Sequence, residues 1–297
     1  MTKYNFDEVT SRQNTGCLKY DFAVQRGRPA DVLPFWVADM DFPIAREIQE
    51  ALLERCQHAI FGYSESDDAY FAAVYDWYAK HFGWKPQQEW LTKTPGVVFA
   101  LAAAVRAFTK PGEGMLINQP VYYPFSEVIK DNKRKLINSP LVLKDGKYSI
   151  DFADLEKKIV EHQVKLYILC SPHNPVGRVW SRAELRKLGD ICLAHDVLIV
   201  SDEIHSDFVW GDNKHTVFAS LGADYAQNCV VCTAPSKTFN IAGLQVSNIF
   251  IPNAKLRRAF QHEVAAAGYS QLNTLGLVGC EAAYRYGEDW LAQVKAY

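Results

Sequence analysis

Val230-Val231-Cys232-Thr233-Ala234-Pro235-Ser236-Lys237-Thr238-Phe239-Asn240-Ile241-Ala242-Gly243-Leu244 is the stretch whose reading decides the fold. It opens on a β-branched apolar run, the pattern of a buried strand. The run ends in a loop with one lysine at its mouth. An ammonium seated beside buried apolar sequence costs free energy unless it is paired or used in chemistry. Taken alone, the stretch reads first as a surface loop with an ordinary lysine. Its neighbours add to that: Ser236 and Thr238 supply hydroxyls, Pro235 stiffens the approach, and Gly243 permits close backbone packing. A Schiff-base lysine needs such a desolvated seat beside hydroxyls that can hold a phosphate.

The chain has 297 residues, 48% of them hydrophobic, enough for one large core or two modest ones. A net charge of −2 with no block of like charge argues against a nucleic-acid surface. No apolar signal-peptide core opens the chain, and the longest nearly continuous apolar run, Val97 to Val105, is too short to cross a membrane. Seven scattered cysteines, an odd number, fit a reducing compartment, so a cytoplasmic location is expected. Cys229 and Cys232 form a Cys-x-x-Cys pair inside a β-branched run. No second pair stands at suitable spacing, so buried thiols are expected there and no metal.

Working outward, the first 35 residues read as an irregular arm. A helix is expected from Pro43 with Ile44, Ile48, Ala51, Leu52 and Ala59 on its apolar face. A second is expected from an N-cap at Ser66 to about His81, burying Tyr70, Phe71, Val74, Trp77 and Tyr78. A small-residue helix follows over Phe99 to Phe108. Later helices are expected from Asp151, from the capping box Ser181-Arg182-Ala183-Glu184 to about Ala194, and from about Asn253 onward. Strands are expected at Met115–Ile117, Leu136–Leu143, Leu166–Cys170, Val197–Val200, Cys229–Cys232 and Val246–Ile251. Continuous apolar strands alternating with amphipathic helices predict an α/β protein with a mostly parallel sheet. The residues with chemical potential fall just past strand ends, where open α/β sheets bind ligands. There is no Gly-x-Gly-x-x-Gly after a strand, no P-loop and no Gly-x-Ser-x-Gly elbow.

Gly96 precedes a helix whose first amides, including those of Val97 and Val98, are free to meet a phosphate. Tyr122 offers a ring for stacking or for simple packing. Asn174, between His173 and Pro175, offers an amide or an ordinary Asx turn. Asp202 follows an apolar strand and needs a partner, which a protonated pyridine nitrogen or a loop-capping role would each provide. Asp202, Glu203, His205 and Asp207 crowd together. Alternation along an extended strand would split them between faces, which disfavours a metal.

The lysine segment Ser236 to Leu244 resembles that of pyridoxal-phosphate enzymes of the aspartate aminotransferase fold. It is most similar to the cystathionine β-lyase branch, the MalY/PatB or cystalysin-like enzymes. Four more segments match in order: Trp36-Val37-Ala38-Asp39-Met40-Asp41-Phe42-Pro43, Pro120-Val121-Tyr122-Tyr123-Pro124, the stretch from Ser171 to Trp180, and Ser201-Asp202-Glu203-Ile204-His205-Ser206-Asp207. The resemblance implies a large cofactor domain over residues 46–285. An arm and part of a small domain would precede it at 1–45, and a C-terminal small domain would start at 286–297 and be cut short.

The resemblance also assigns roles. Pyridoxal 5′-phosphate would sit on Lys237, with Asp202 on its ring nitrogen, Tyr122 on its face, and Asn174 and His205 near its 3′ oxygen. His205 stands where aminotransferases of this fold usually carry tyrosine. No arginine lies between Ala242 and Asn248, so phosphate holding would fall on Gly96, Val97, Val98, Ser236 and Tyr63 from a second subunit of a homodimer. Lys237 would act as base, Tyr123 or Lys237 would protonate the leaving thiolate, and Val37, Ala38 and Asn174 would meet the substrate. The implied reaction is α,β-elimination of cystathionine or cysteine-like amino acids to a thiol, pyruvate and ammonia. An aminotransferase and a non-catalytic cofactor-binding or regulatory protein are the alternatives. The family's carboxylate-binding arginine belongs to a segment after Tyr297, so weak substrate binding is expected. Arg28, Arg46 and Arg178 are the nearest stand-ins.

Overall fold

Apolar strands of this kind need cover on both faces, and the computed structural model of the chain, which describes residues 4–297, supplies it. The helices and strands in chain order are α1 (Arg46–Gln57), α2 (Asp68–Phe82), β1 (Leu91–Thr94), α3 (Val97–Phe108), β2 (Gly114–Ile117), α4 (Pro124–Asp131) and β3 (Lys135–Asn138). There follow β4 (Val142–Lys144), β5 (Lys147–Ser149), α5 (Phe152–Glu161), β6 (Leu166–Cys170), α6 (Arg182–Ala194), β7 (Leu198–Asp202) and α7 (Ala223–Gln227). The rest are β8 (Cys229–Thr233), α8 (Pro235–Thr238), β9 (Ser247–Phe250), α9 (Ala254–Ala266), α10 (Thr274–Tyr286) and α11 (Glu288–Ala296).

Seven strands form one sheet in the order β1-β9-β8-β7-β6-β2-β3. The pairings from β3 through β2, β6 and β7 to β8 are parallel, and β9 joins β8 and β1 antiparallel. Alternation along the strands feeds two cores. Tyr167, Leu169, Ile199 and Val231 enter the cluster that includes side chains of α1, α2, α5, α6 and α10. Leu166, Ile168, Val200 and Val230 enter the cluster with α3, α4 and α9. Each fully buried aliphatic side chain is worth about 1.5–3 kcal/mol, so these central strands are fixed in register by both faces at once. Cys229 and Cys232 enter opposite clusters, so their thiols do not converge.

Ser181 and Glu184 make the reciprocal capping box at the start of α6, with Glu184 N donating to Ser181 Oγ at 3.2 Å and Ser181 N donating to Glu184 Oε2 at 2.7 Å. Other boundaries differ from the sequence reading. Asp67, not Ser66, caps α2, because its carboxylate reaches Tyr70 N at 3.0 Å. The first helix begins at Arg46, three residues after Pro43, and Ala59 lies past its end in a left-handed conformation (φ 60°). The expected strand Leu136–Leu143 is two strands, since Pro140 has no amide to donate; β4 turns back on β5 as a separate hairpin. Strand β1 and helix α4 carried no clear periodic signal. Among the described residues no helix is long and apolar enough to cross a membrane.

The two ends of the chain meet over aromatic contacts. Phe6 packs against Phe42 at 5.1 Å between ring centroids, Phe42 against Tyr297 at 5.7 Å, and Trp290 Nε1 donates to Pro43 O at 3.1 Å. At the α10–α11 junction, Gly287 lies so close to Phe239 that a side chain cannot fit. A Cβ there would overlap the Phe239 ring and stand 2.6 Å from the Ala283 carbonyl oxygen. Gly287→Ala should therefore destabilise the fold by about 1–3 kcal/mol, read as a lower urea midpoint with an unchanged slope. An unshifted midpoint would mean that the junction yields freely.

Candidate active site

Strands β2, β6, β7 and β8 run parallel, so the loops that follow them open on the same edge of the sheet. There they surround a cavity of about 940 Å³. Register sets Asp202 between Cys170 and Cys232 on the neighbouring strands. Asp202 is 5% exposed; its carboxylate accepts from Ile204 N at 3.1 Å and among the described residues has no ion-pair partner. Burial, helped by the charge of Glu203, pushes it up to about 7, against the pull of the Ile204 amide and the Lys237 charge. Glu203 points the other way. It accepts from His215 Nε2 at 2.8 Å, Phe218 N at 2.9 Å and Ser201 Oγ at 2.9 Å in the core. The chain leaves extended structure at Asp202, so it is this turn, not strand alternation, that separates Asp202 from Glu203 and Asp207.

Lys237 lies on α8, the single turn after β8, with Pro235 at its first position. Burial lowers its affinity for a proton, while the charges of Asp39 and Asp202 oppose the shift. The turn is gripped from several sides. Thr238 Oγ1 donates to Asp207 Oδ2 at 2.7 Å, and Trp77 Nε1 donates to Asp207 Oδ1 at 3.1 Å. Phe239 is fully buried, 5.2 Å from Trp77 and 5.7 Å from Tyr284 between ring centroids. The Asn240 amide accepts from Met40 N at 2.8 Å and donates to Met40 O and Phe42 O at 2.9 Å each. Ser236 and Lys237 are left facing the cavity.

Asn240 thereby ties the lysine turn to residues 36–42. Arg12 clamps Asp39 and Asp41 of that segment at 2.8 and 2.7 Å, and Lys19 lies 3.2 and 3.4 Å from the same two acids. Val37 is held at φ 59°, a costly conformation for a β-branched residue, of order 1–3 kcal/mol. Across the cavity, Tyr122 N donates to Asn174 O at 3.1 Å and His173 Nε2 meets Pro120 O at 2.9 Å, locking the loops after β2 and β6 together. Burial pushes His173 down to about 4; burial and the Lys237 charge do the same to His205, so both imidazoles are neutral near neutral pH. Helix α3 begins at Gly96 with no side chain capping it, leaving its first amides open to the cavity.

Val37, Ala38, Gly96, Val97, Val98, Tyr122, Tyr123, Asn174, Asp202, His205, Ser236 and Lys237 all line this one cavity. Tyr63 does not; it is 98% exposed and apart from the cavity of its own chain. Of the three stand-in arginines, Arg28 lines the cavity. Arg46 pairs with Glu50 on the surface, and Arg178 pairs with Glu184 and covers Trp180. Arg26 and Gln245 line the cavity without having been foreseen, because the irregular arm and a turn residue carry no periodic signal. Among the described residues no cluster of three or more His, Cys, Asp or Glu is arranged to hold a metal.

The donor set fits a flat ring bearing a cation at one edge and a phosphate at another. A buried acid without a cation, an uncapped helix start and a desolvated amine all face the same space. The family model for aminotransferase class I and II matches residues 30–286. Cystathionine β-lyase PatB of Bacillus subtilis is 48% identical over 293 residues, covering 99% of this chain and 76% of that protein. Protein MalY of Escherichia coli is 33% identical over 297 residues, covering 99% and 75%. Cystalysin of Treponema denticola, solved with pyridoxal 5′-phosphate, superposes with a TM-score of 0.95 at 41% identity, covering 99% of this chain and 75% of its own. The pyridoxal-phosphate-bound C–S lyase of Staphylococcus hominis superposes at 0.93 and 36%, covering 100% and 74%.

The displaced acidity of Asp202 has a stability signature. In the unfolded chain its proton leaves near the ordinary 3.8, whereas the cofactor-free fold keeps it to about 7. Between those values the unfolded chain binds fewer protons, so this group lowers stability as pH rises, by up to ~4 kcal/mol. His173 and His205, lowered from 6.5 to about 4, slope the opposite way over that window. Asp202→Asn isolates the acid. Relative to the parent, its urea stability should grow by roughly 4 kcal/mol from about pH 4 to about pH 7. A difference independent of pH would mean that Asp202 is ionised throughout.

Proposed function

The chain belongs to the aminotransferase class I and II family, and on that premise we propose that it is a pyridoxal-phosphate-dependent carbon–sulfur lyase that cleaves cystathionine or cysteine-like amino acids to a thiol, pyruvate and ammonia. The reading is carried by the 48% identity to a cystathionine β-lyase over 99% of the chain, in a protein whose Lys237 and Asp202 open on one cavity.

When bound, the cofactor supplies an electron sink for the pair left at Cα once its proton is removed. Asp202 would sit against the ring nitrogen and keep it protonated. A cation there restores the carboxylate's charge, because the pair offsets the desolvation that now holds it near neutral. The amides of Val97 and Val98, at the positive end of α3, and the Ser236 hydroxyl would take the phosphate. Asn174 and the neutral His205 would orient the ring oxygen, and Tyr122 would cover one face. Lys237 would take the Cα proton, a task suited to an amine whose proton affinity burial has lowered. Tyr123 or Lys237 would return a proton to the departing sulfur. Val37 and Ala38, held by the Arg12 clamp and the Asn240 bridge, would present their backbone to the substrate. Tyr63, exposed on its own chain, would reach the phosphate of a second copy, so we take the working unit as a homodimer. The cysteines, all free, suit a reducing compartment such as the cytoplasm.

The test follows L-cystathionine with holoenzyme while measuring pyruvate, free thiol and any new amino acid formed in the presence of a 2-oxo acid. Pyruvate with stoichiometric thiol supports the reading, and a new amino acid without thiol overturns it in favour of transamination. Lys237→Ala should lower pyruvate release by about 10²–10⁴-fold or more. Borohydride reduction of the parent followed by peptide mapping should place the cofactor on Lys237; a label on another lysine removes the central assignment.

A further inference from the structure

We infer that Arg26 and Arg28, stacked on Trp36 at the cavity, form a subsite that takes a carboxylate of the amino-acid substrate; the inference rests on the lyase reading above and names what selects its substrate.

The subsite is built by a tight turn. Residues Val24–Arg26 form one short 3₁₀ turn, and Gly27 closes it in the left-handed conformation (φ 70°). Arg28 N donates to Ala23 O at 3.0 Å and Gly27 N to Val24 O at 2.9 Å, the paired bonds of a Schellman closure, with Ala23 buried beneath. This reversal sends both guanidinium groups to one indole. Their carbon atoms lie 5.5 and 5.0 Å from the Trp36 ring centre, and Arg26, Arg28 and Trp36 all line the cavity.

The charge on these two groups is unspent. Arg12 and Lys19, the other cations in contact with this part of the arm, share Asp39 and Asp41. Among the described residues neither the Arg26 nor the Arg28 guanidinium has an ion-pair or hydrogen-bond partner. Among the described residues Asp202 is the one acid lining the cavity, and it is buried at the end of β7. Two like charges held against one ring repel each other, and an anion between them relieves that repulsion. Stacking limits the freedom of both side chains, so less entropy is lost when a planar carboxylate accepts from their forks. The indole face beside them suits the methylene groups of a thioether. The phosphate of the cofactor has its own donors at the start of α3, which leaves the arginines for the substrate.

A carboxylate could come from the reacting end of the substrate or from the far end of a two-headed one such as cystathionine. The experiment compares holoenzyme with Arg26→Gln, Arg28→Gln, the double variant, and the double Arg→Lys variant, which keeps charge but loses the fork. Elimination is measured on L-cystathionine and on S-ethyl-L-cysteine, which has one carboxylate. Equilibrium binding of L-2-aminoadipate and L-norleucine, neither of which can lose a thiol, is read from the absorbance of the bound cofactor. Cofactor affinity is titrated separately. The double Gln variant should raise KM for cystathionine and Kd for aminoadipate about ten-fold, with kcat and cofactor affinity little changed and partial recovery in the Lys variant. Loss confined to the two-carboxylate ligands assigns the far carboxylate; equal loss on both kinds assigns the reacting end. Unchanged ligand affinities overturn the inference, as does a loss that merely follows weakened cofactor binding, which would make these phosphate ligands. If the parent turns over neither thioether, the lyase reading fails while the binding measurements still decide the subsite.

Discussion

A carboxylate at the end of a strand buried on both faces is the constraint that the rest of this molecule answers. Asp202 is kept dry by two cores, flanked by thiol side chains, and given one backbone hydrogen bond but, among the described residues, no cation. Raising an acid from 3.8 to about 7 corresponds to ~4 kcal/mol of lost ionisation energy. That is a sizeable share of the ~5–15 kcal/mol by which a domain of this kind is stable. On the turn after the next strand Lys237 suffers the opposite displacement from the same cause. A ligand that brings a cation to one and a carbonyl carbon to the other would relieve both, so the cost of burying the two groups would become affinity for such a ligand.

That exchange works only if the lysine cannot retreat, and the fold prevents it. Phe239 anchors the turn in the core beside Gly287, and Thr238 is held by Asp207, itself held by Trp77. Asn240 carries the hold on to Met40 and Phe42, whose neighbours Asp39 and Asp41 are fastened by Arg12 and Lys19. Core, lysine turn and arm are therefore one connected structure. Such support is what keeps reacting groups within a fraction of an ångström of their working positions.

Much of this was legible in the sequence, for a definable reason. A strand covered on both faces is written as an unbroken apolar run, so position alone sets Asp202, Asn174, Tyr122 and Lys237 just past strand ends; residue type left each open between a packing and a chemical role, and the resemblance supplied the roles. Where cover is one-sided or local, the signal fades. Strand β1 reads Leu-Thr-Lys-Thr and pairs only with β9, and Pro140 splits what hydrophobicity alone would join. Ser66 and Asp67 both suit a helix cap, and only geometry chooses between them. The partners of Asn240 lie 200 and 198 residues away along the chain, and those of Asp207 130 and 31. No local pattern encodes contacts of that span. Arg26 and Arg28 sit in a turn whose only mark is one glycine.

The electrostatic arrangement of the cavity has a consequence for its chemistry. With His173 and His205 neutral, Asp202 near neutrality and Lys237 reluctant to hold its proton, the inner wall carries little fixed charge. The unpaired cationic charge in the wall lies on Arg26 and Arg28, over Trp36. Under the proposed reading these cations would orient the carboxylate of a zwitterionic amino acid, and its amine would enter a low-charge interior where a proton can move without a large solvent response. Deprotonation at Cα places negative charge on the substrate. Under the proposed reading the balancing positive charge would stand on the cofactor's ring nitrogen, which Asp202 would keep protonated. Asp202 is the acid in the wall whose ionisation a neighbouring cation would favour, against the burial that raises it.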